Sequence, residues 1–187
     1  MKDKIFPKVP TLVLVITNDS TVFLKDGICS AYELFGGRCQ EVKNLVRDLD
    51  LAKKEDGTPL CTVSFGIVSS RYGFIPADYT VMKYPAEEVA STPEMYEDLQ
   101  LRKDFIGTIF KTTSTFDRII LCLPRHMVEM ILDADILPEG RVIAVTSPAL
   151  KERVEAKDWM FLERKGSRLG NENRDIIMDE IVRLSKF

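Results

Sequence analysis

The stretch Thr11-Leu-Val-Leu-Val-Ile-Thr17 is seven residues of almost unbroken β-branched and aliphatic character. An apolar run of this length reads as a strand. Because it does not alternate with polar residues, it reads as a strand buried on both faces, the pattern of a parallel sheet covered by helices on each side. Three more runs share the character: Cys61 to Ser69 (CTVSFGIVS), Arg118 to Leu123 (RIILCL) and Arg141 to Thr146 (RVIAVT). Gly66, inside the second, marks a bulge or a close backbone approach.

Helical patterns separate these runs. From Gln40 to Lys53, Val42, Leu45, Val46 and Leu49 fall on one face, with charged residues on the other. A short helical piece at Ala31–Phe35 precedes it across Gly36-Gly37. A helix is predicted over Pro93–Phe110, with Thr92 as N-cap and Pro93 in the first helical position. A shorter one is predicted over Arg125–Leu132, and a last one over Asn171–Leu184 with Asn171 as its N-cap. Strands alternating with helices define a single α/β domain: a three-layer, Rossmann-like sandwich with a mainly parallel sheet of at least four strands. The connection from Phe65 to Pro93 is the longest irregular segment, and long connections in compact domains carry function.

Composition narrows the function classes. The 187 residues include 45% hydrophobic and 29% charged side chains, enough apolar material for one core. The balance of 26 Lys and Arg against 29 Asp and Glu leaves a net charge of -3, which argues against nucleic-acid backbone binding. No apolar run reaches the length of a membrane span, and the opening MKDKIFPKVP has no apolar leader core, so the expected location is the cytoplasm. Cys29, Cys39, Cys61 and Cys122 form no Cys-x-x-Cys pair, and with one histidine in the chain neither a zinc site nor another cofactor is expected.

An open α/β sheet takes its ligand outside the carboxyl ends of its strands. Each strand here ends in hydrogen-bonding residues. Asn18, Asp19 and Ser20 follow the first, Ser69, Ser70, Arg71, Tyr72 and Gly73 the second, Arg125 and His126 the third, and Thr146 and Ser147 the fourth. Arginine forks suit phosphate or carboxylate, so Arg71 and Arg125 are the candidate anion grips. Asn18, Ser69, Ser70, Tyr72, Gly73 and Ser147 complete the candidate binding set, with Tyr72 placed to stack on a ring. Asp19 and His126 are the candidate proton-handling groups. Polar residues at strand ends also serve as helix caps, and this is the competing reading for Thr146 and Ser147. No nucleophile elbow, dinucleotide fingerprint or P-loop is present. Arg164, Lys165 and Arg168, around Gly166 and Gly170 before the last helix, form a second candidate anion cradle.

The stretch Ser69-Ser-Arg-Tyr-Gly-Phe74, with Pro76 and the later Lys83-Tyr-Pro85, resembles an uncharacterised prokaryotic and phage α/β family, a domain of unknown function. Its members carry Ser-Ala-Lys-Tyr-Gly-Leu after a strand and then Pro-Tyr-Asp. Ser30–Val46 (SAYELFGGRCQEVKNLV) is similar to that family's helical Ala-x-x-Leu-Tyr region. Ser70 replaces the family's Ala, Arg71 its Lys, and the Tyr-Pro order differs. The family's early cysteine has no counterpart in VITNDS. The resemblance covers about the first two thirds of the chain and implies a Rossmann-like fold with a site around Arg71 and Tyr72.

Two functions are therefore expected to compete. One is binding of a small phosphorylated or nucleotide-like ligand at the strand ends, with or without catalysis. The other is a non-catalytic interaction module, homodimeric or otherwise, that docks through the tyrosine-rich loop 71–85, with Tyr72, Phe74, Tyr79 and Tyr84 exposed. Nucleic-acid association through Arg164, Lys165 and Arg168 is disfavoured by the overall charge.

Overall fold

The computed structural model describes residues 10–186, so most of the opening segment read above for a leader lies outside it. The predicted run at Thr11 forms β1 (Thr11–Asn18), which sits in the interior of a six-stranded sheet. After a short strand β2 (Cys29–Ser30) come α1 (Ala31–Leu34) and α2 (Cys39–Leu51). Then follow β3 (Cys61–Ser69), β4 (Gly73–Pro76), β5 (Thr80–Val81), α3 (Pro93–Lys103) and α4 (Phe105–Thr113). The chain continues through β6 (Arg118–Cys122), α5 (Arg125–Ala134), β7 (Val142–Thr146), α6 (Lys151–Ala156), β8 (Met160–Glu163) and α7 (Asn171–Ser185). The strand order is β4-β3-β1-β6-β7-β8, and every pair except β3–β4 is parallel.

Strand alternation makes two cores. Val13 and Val15 of β1 face one side with Leu45 and Leu49 of α2 and Ile177 and Ile181 of α7. Leu14 and Ile16 face the other with Leu99, Ile109, Ile131 and Val154 from α3, α4, α5 and α6. That double burial explains the continuous apolar runs: neither face of the central strands meets water. The three-layer α/β architecture with at least four mainly parallel strands is thus present.

Several local expectations change. The helix predicted over Pro93–Phe110 is two helices. Asp104 takes a left-handed conformation (φ 43°, ψ 53°) that ends α3, and its carboxylate accepts the Gly107 amide at 3.0 Å to cap α4. Thr92 does cap α3, accepting the Met95 amide at 3.3 Å. The last helix is capped by Gly170, not Asn171; the neighbouring Asn173 side chain donates to the Glu163 and Leu169 carbonyls at 2.6 and 2.8 Å. The connection after β3 is not irregular throughout: Ser69 and Gly73 close a hairpin into β4, and β5 pairs antiparallel with β2. Gly66 is a close approach. A Cβ there would lie 2.5 Å from ring atoms of Phe74, which crosses over it from β4.

The winding places a site. From β1 the chain leaves through α2 on one face to reach β3. From β6, the other neighbour of β1, it leaves through α5 on the opposite face to reach β7. The connections therefore diverge between β1 and β6, and such a switch point opens a crevice beyond the carboxyl ends of the strands.

Candidate functional site

β1 ends in Asn18, and the next two residues, Asp19 and Ser20, are also buried. The Asp19 carboxylate is turned inward. Its Oδ2 accepts the Ser70 amide at 2.7 Å and the Tyr84 hydroxyl in a short hydrogen bond. Burial pushes the Asp19 carboxyl above the usual carboxylate range, against the opposing pull of these donors. Burial, and then the Asp19 charge, push the Tyr84 phenol upward too. Ser69 and Tyr84 share a further hydrogen bond of 3.0 Å. This cluster bolts the β3–β4 turn onto the end of β1.

The same turn accounts for most of the residues singled out after β3. The Ser69 hydroxyl accepts the amides of Arg71 and Tyr72 at 3.3 and 3.2 Å, and Gly73, at φ 78°, completes the reversal. The Ser70 hydroxyl accepts the Ala90 amide at 2.8 Å. The Arg71 guanidinium is not a free grip. It forms a two-point ion pair with Glu88, at 3.0 and 2.6 Å, and lies 5.2 Å from the centre of the Tyr84 ring. The Tyr72 hydroxyl accepts the Met82 amide at 3.2 Å, and its ring packs against Tyr79 and Tyr84. Tyr84 is buried, contrary to the exposure expected of it, because its hydroxyl is spent on Asp19 and Ser69.

Beyond β6, Arg125 pairs with Glu129 one turn along α5 at 2.9 Å. His126 sits between Glu97 (3.3 Å) and Glu129 (3.4 Å), with its ring stacked on Tyr96 at 6.2 Å between centres. After β7, the Ser147 hydroxyl accepts the Ala149 amide at 3.3 Å and caps a short 3-10 turn, Pro148–Leu150. Lys165 and Arg168 bracket a tight turn through Gly166. The cradle expected at the start of α7 is filled from within: the Gly170 amide donates to the Glu41 carboxylate at 3.3 Å.

Two arginines remain over the switch point. Arg38, at the start of α2, donates to the main-chain oxygen of Asp19 from Nε at 3.1 Å and Nη2 at 2.5 Å. Arg164, just past β8, donates to the Ser167 carbonyl at 3.0 Å. Neither has a carboxylate within ion-pair distance among the described residues. Both are half-buried. Burial, and secondly the neighbouring charge of Arg38, hold the Arg164 guanidinium below its usual range. Arg38 and Ser167 line both an open cavity of about 350 Å³, walled by Ser20, Gly37, Ala90 and Met95, and a narrow cleft beneath it that reaches Arg164, Thr17 and Cys122. The open cavity is lined by Arg38 at the start of α2, which packs on one face of the sheet, and by Met95 of α3, which packs on the other, so the crevice spans both faces of the sheet edge.

The structure thus brings together Asn18, Asp19, Ser69 and Ser70 at the end of β1 and β3, and places Arg164 nearby. It sends Arg71 and Arg125 into ion pairs. Sequence reading missed Arg38. Its signal was the Gly36-Gly37 pair before a helix, which allows the chain to bring a helix start against a strand end. Among the described residues no group of His, Cys, Asp or Glu is arranged to hold a metal ion, and no helix is long and apolar enough to cross a membrane. No family model matches the chain, and no curated protein or solved structure is significantly similar to it.

Proposed function

We propose that the protein binds a small phosphorylated or nucleotide-like ligand in the crevice beyond β1, β6 and β7, with Arg38 and Arg164 holding the anion. The observation that carries this reading is the pair itself: two half-buried guanidiniums, each without a carboxylate, beside one crevice. Like charges brought near each other in a partly desolvated place repel, and an anion between them relieves that repulsion. Asp19 serves here as the anchor of the crevice wall through Tyr84 and Ser70. The test is a thermal-shift screen against inorganic phosphate, sugar phosphates and nucleotides, followed by titration calorimetry. Arg164→Ala should weaken binding of the best anion by about ten- to a hundredfold, equivalent to about 1.5–3 kcal/mol. A flat screen, or an unchanged affinity in Arg164→Ala, overturns it.

A second reading has one observation in its favour. The small β2–β5 sheet leaves Ile28 73%, Met82 48% and Tyr79 49% exposed. Such a patch suits protein docking, including self-association. Sedimentation of the wild type and Ile28→Glu over a range of concentrations decides it: a dimer lost in the variant supports docking, and a monomer throughout rules out self-association.

A further inference from the structure

The row just past the last pairs that join β1, β6 and β7 holds two polar side chains without partners among the described residues. Thr17, Cys122 and Val145 lie side by side across β1, β6 and β7. One step further along, Asn18 and Thr146 occupy the same row, two strands and about 10 Å apart. They leave the sheet on the same face, that of α3 and α5, because residues in register on parallel strands share a face. Asn18 is 1% exposed and Thr146 0%, yet the Asn18 carboxamide and the Thr146 hydroxyl make no hydrogen bond among the described residues.

A buried polar group left unpaired is destabilising, and native proteins keep few of them. The other buried hydroxyls of this edge show that partners are within reach of a strand end. Thr17 donates to the Cys122 carbonyl at 3.1 Å, Ser20 to the Gly36 carbonyl at 2.9 Å, and Ser69 and Ser70 are both engaged. The two orphans stand instead at the switch point, each next in the chain to a residue, Thr17 or Val145, that lines the narrow cleft bordered by Arg38 and Arg164.

Their chemistry limits what they suit. A carboxamide offers two donors and an acceptor, and a hydroxyl offers one of each role. Both are neutral. A ligand hydroxyl, itself donor and acceptor, matches them; a second anionic group does not, and an apolar group leaves them unpaired. We infer that Asn18 and Thr146 form the neutral half of the crevice and recognise the hydroxyls of a sugar whose phosphate is held by Arg38 and Arg164. The ligand class is then a sugar phosphate, free or as the ribose phosphate of a nucleotide. This rests on the anion reading above. Both side chains are closed over in this structure, so engaging them requires the crevice to open.

The experiment is titration calorimetry with inorganic phosphate, ribose 5-phosphate and adenosine 5′-monophosphate against the wild type, Thr146→Val and Asn18→Leu, with melting curves alongside. Thr146→Val keeps the shape and removes an unpaired hydroxyl, so its melting temperature should hold or rise. The wild type should bind ribose 5-phosphate at least tenfold more tightly than phosphate. Thr146→Val and Asn18→Leu should each lose most of that margin while keeping phosphate affinity within twofold. If Asn18→Leu does not fold, Asn18→Ser takes its place. A tighter nucleotide identifies the ribose phosphate as part of a nucleotide, and a weaker one identifies a free sugar phosphate; both support the assignment. Ribose 5-phosphate affinity unchanged in both variants, or no preference over phosphate in the wild type, overturns it. If Arg164→Ala loses phosphate while Thr146→Val loses nothing, only the sugar assignment falls. If the wild type binds none of the three, both readings fall.

Discussion

The Arg38 guanidinium donates twice to a single acceptor, the main-chain oxygen of Asp19, and so the start of α2 is tied to the end of β1 by a fork rather than by a single bond. That fork fixes the plane of the guanidinium at the crevice. Arg38→Lys keeps the charge but not the fork, because an ammonium is a point donor on a flexible stem. Phosphate affinity is expected to fall by about tenfold, the value of roughly 1.4 kcal/mol, with a larger fall in Arg38→Ala. Titration calorimetry of the three proteins checks it; a lysine variant that binds like the wild type would show that charge alone matters.

Asp19 makes stability depend on pH in an unusual direction for a carboxylate. Burial raises its folded-state pKa, so the folded protein holds this proton more tightly than the unfolded chain does. The stability it contributes is fully present below the ordinary aspartate range near 3.8 and is lost as pH rises through the raised folded value. Asp19→Asn removes the ionisation. The melting temperature of the variant minus that of the wild type should therefore increase from pH 3.5 upward and then level off. A difference that shrinks over the same interval would mean that the Ser70 and Tyr84 donors outweigh burial.

Gly66 and Phe74 give a test of packing away from the crevice. A methyl group at 66 would meet the Phe74 ring at 2.5 Å, and the ring is wedged between β4 and the second core. Gly66→Ala should cost about 1–3 kcal/mol of stability by overpacking. Denaturant unfolding measures it. A cost below about 0.5 kcal/mol would show that the Phe74 ring turns aside freely.

The four thiols should separate into two classes. Cys39 and Cys61 are buried, with their pKa values pushed up to about 11, and Cys122 to about 12, in each case mainly by burial. Cys29 is only half-buried. A thiol reagent at pH 8 should modify one cysteine promptly in the native protein and all four in denaturant. Prompt reaction of two or more would contradict the burial of Cys39, Cys61 or Cys122.

What the sequence carried, and what it did not, follows from the range of the forces involved. The two-sided burial of Thr11–Thr17 is written in its composition, and so was the layered fold. Asn18, Asp19, Ser69 and Ser70 were legible because polarity at a strand end is a local signal. The fates of Arg71 and Arg38 were not. Whether an arginine is free depends on a carboxylate 17 positions away for the first, Glu88, and on its absence for the second. Four-residue strands such as β8 escaped because Trp159 and Met160–Glu163 mix aromatic, aliphatic and acidic residues with no period to read. The break at Asp104 escaped because the apolar spacing runs straight through it, while a single left-handed residue redirects the chain.

The interior place of β1 also sets an order of events. Its two neighbours are β3 and β6, so Val13 must find Val63 on one side and Arg118 on the other. The second partnership closes a loop of about a hundred residues, with the entropy cost that such closure carries. During synthesis β1 is thus left with a bare hydrogen-bonding edge until β6 emerges. Parallel, sequence-distant pairing of this kind is slow, so refolding is expected on the scale of milliseconds to seconds or longer. A ribosome-bound chain halted before residue 118 would expose Thr11–Asn18 to any other strand seeking a partner.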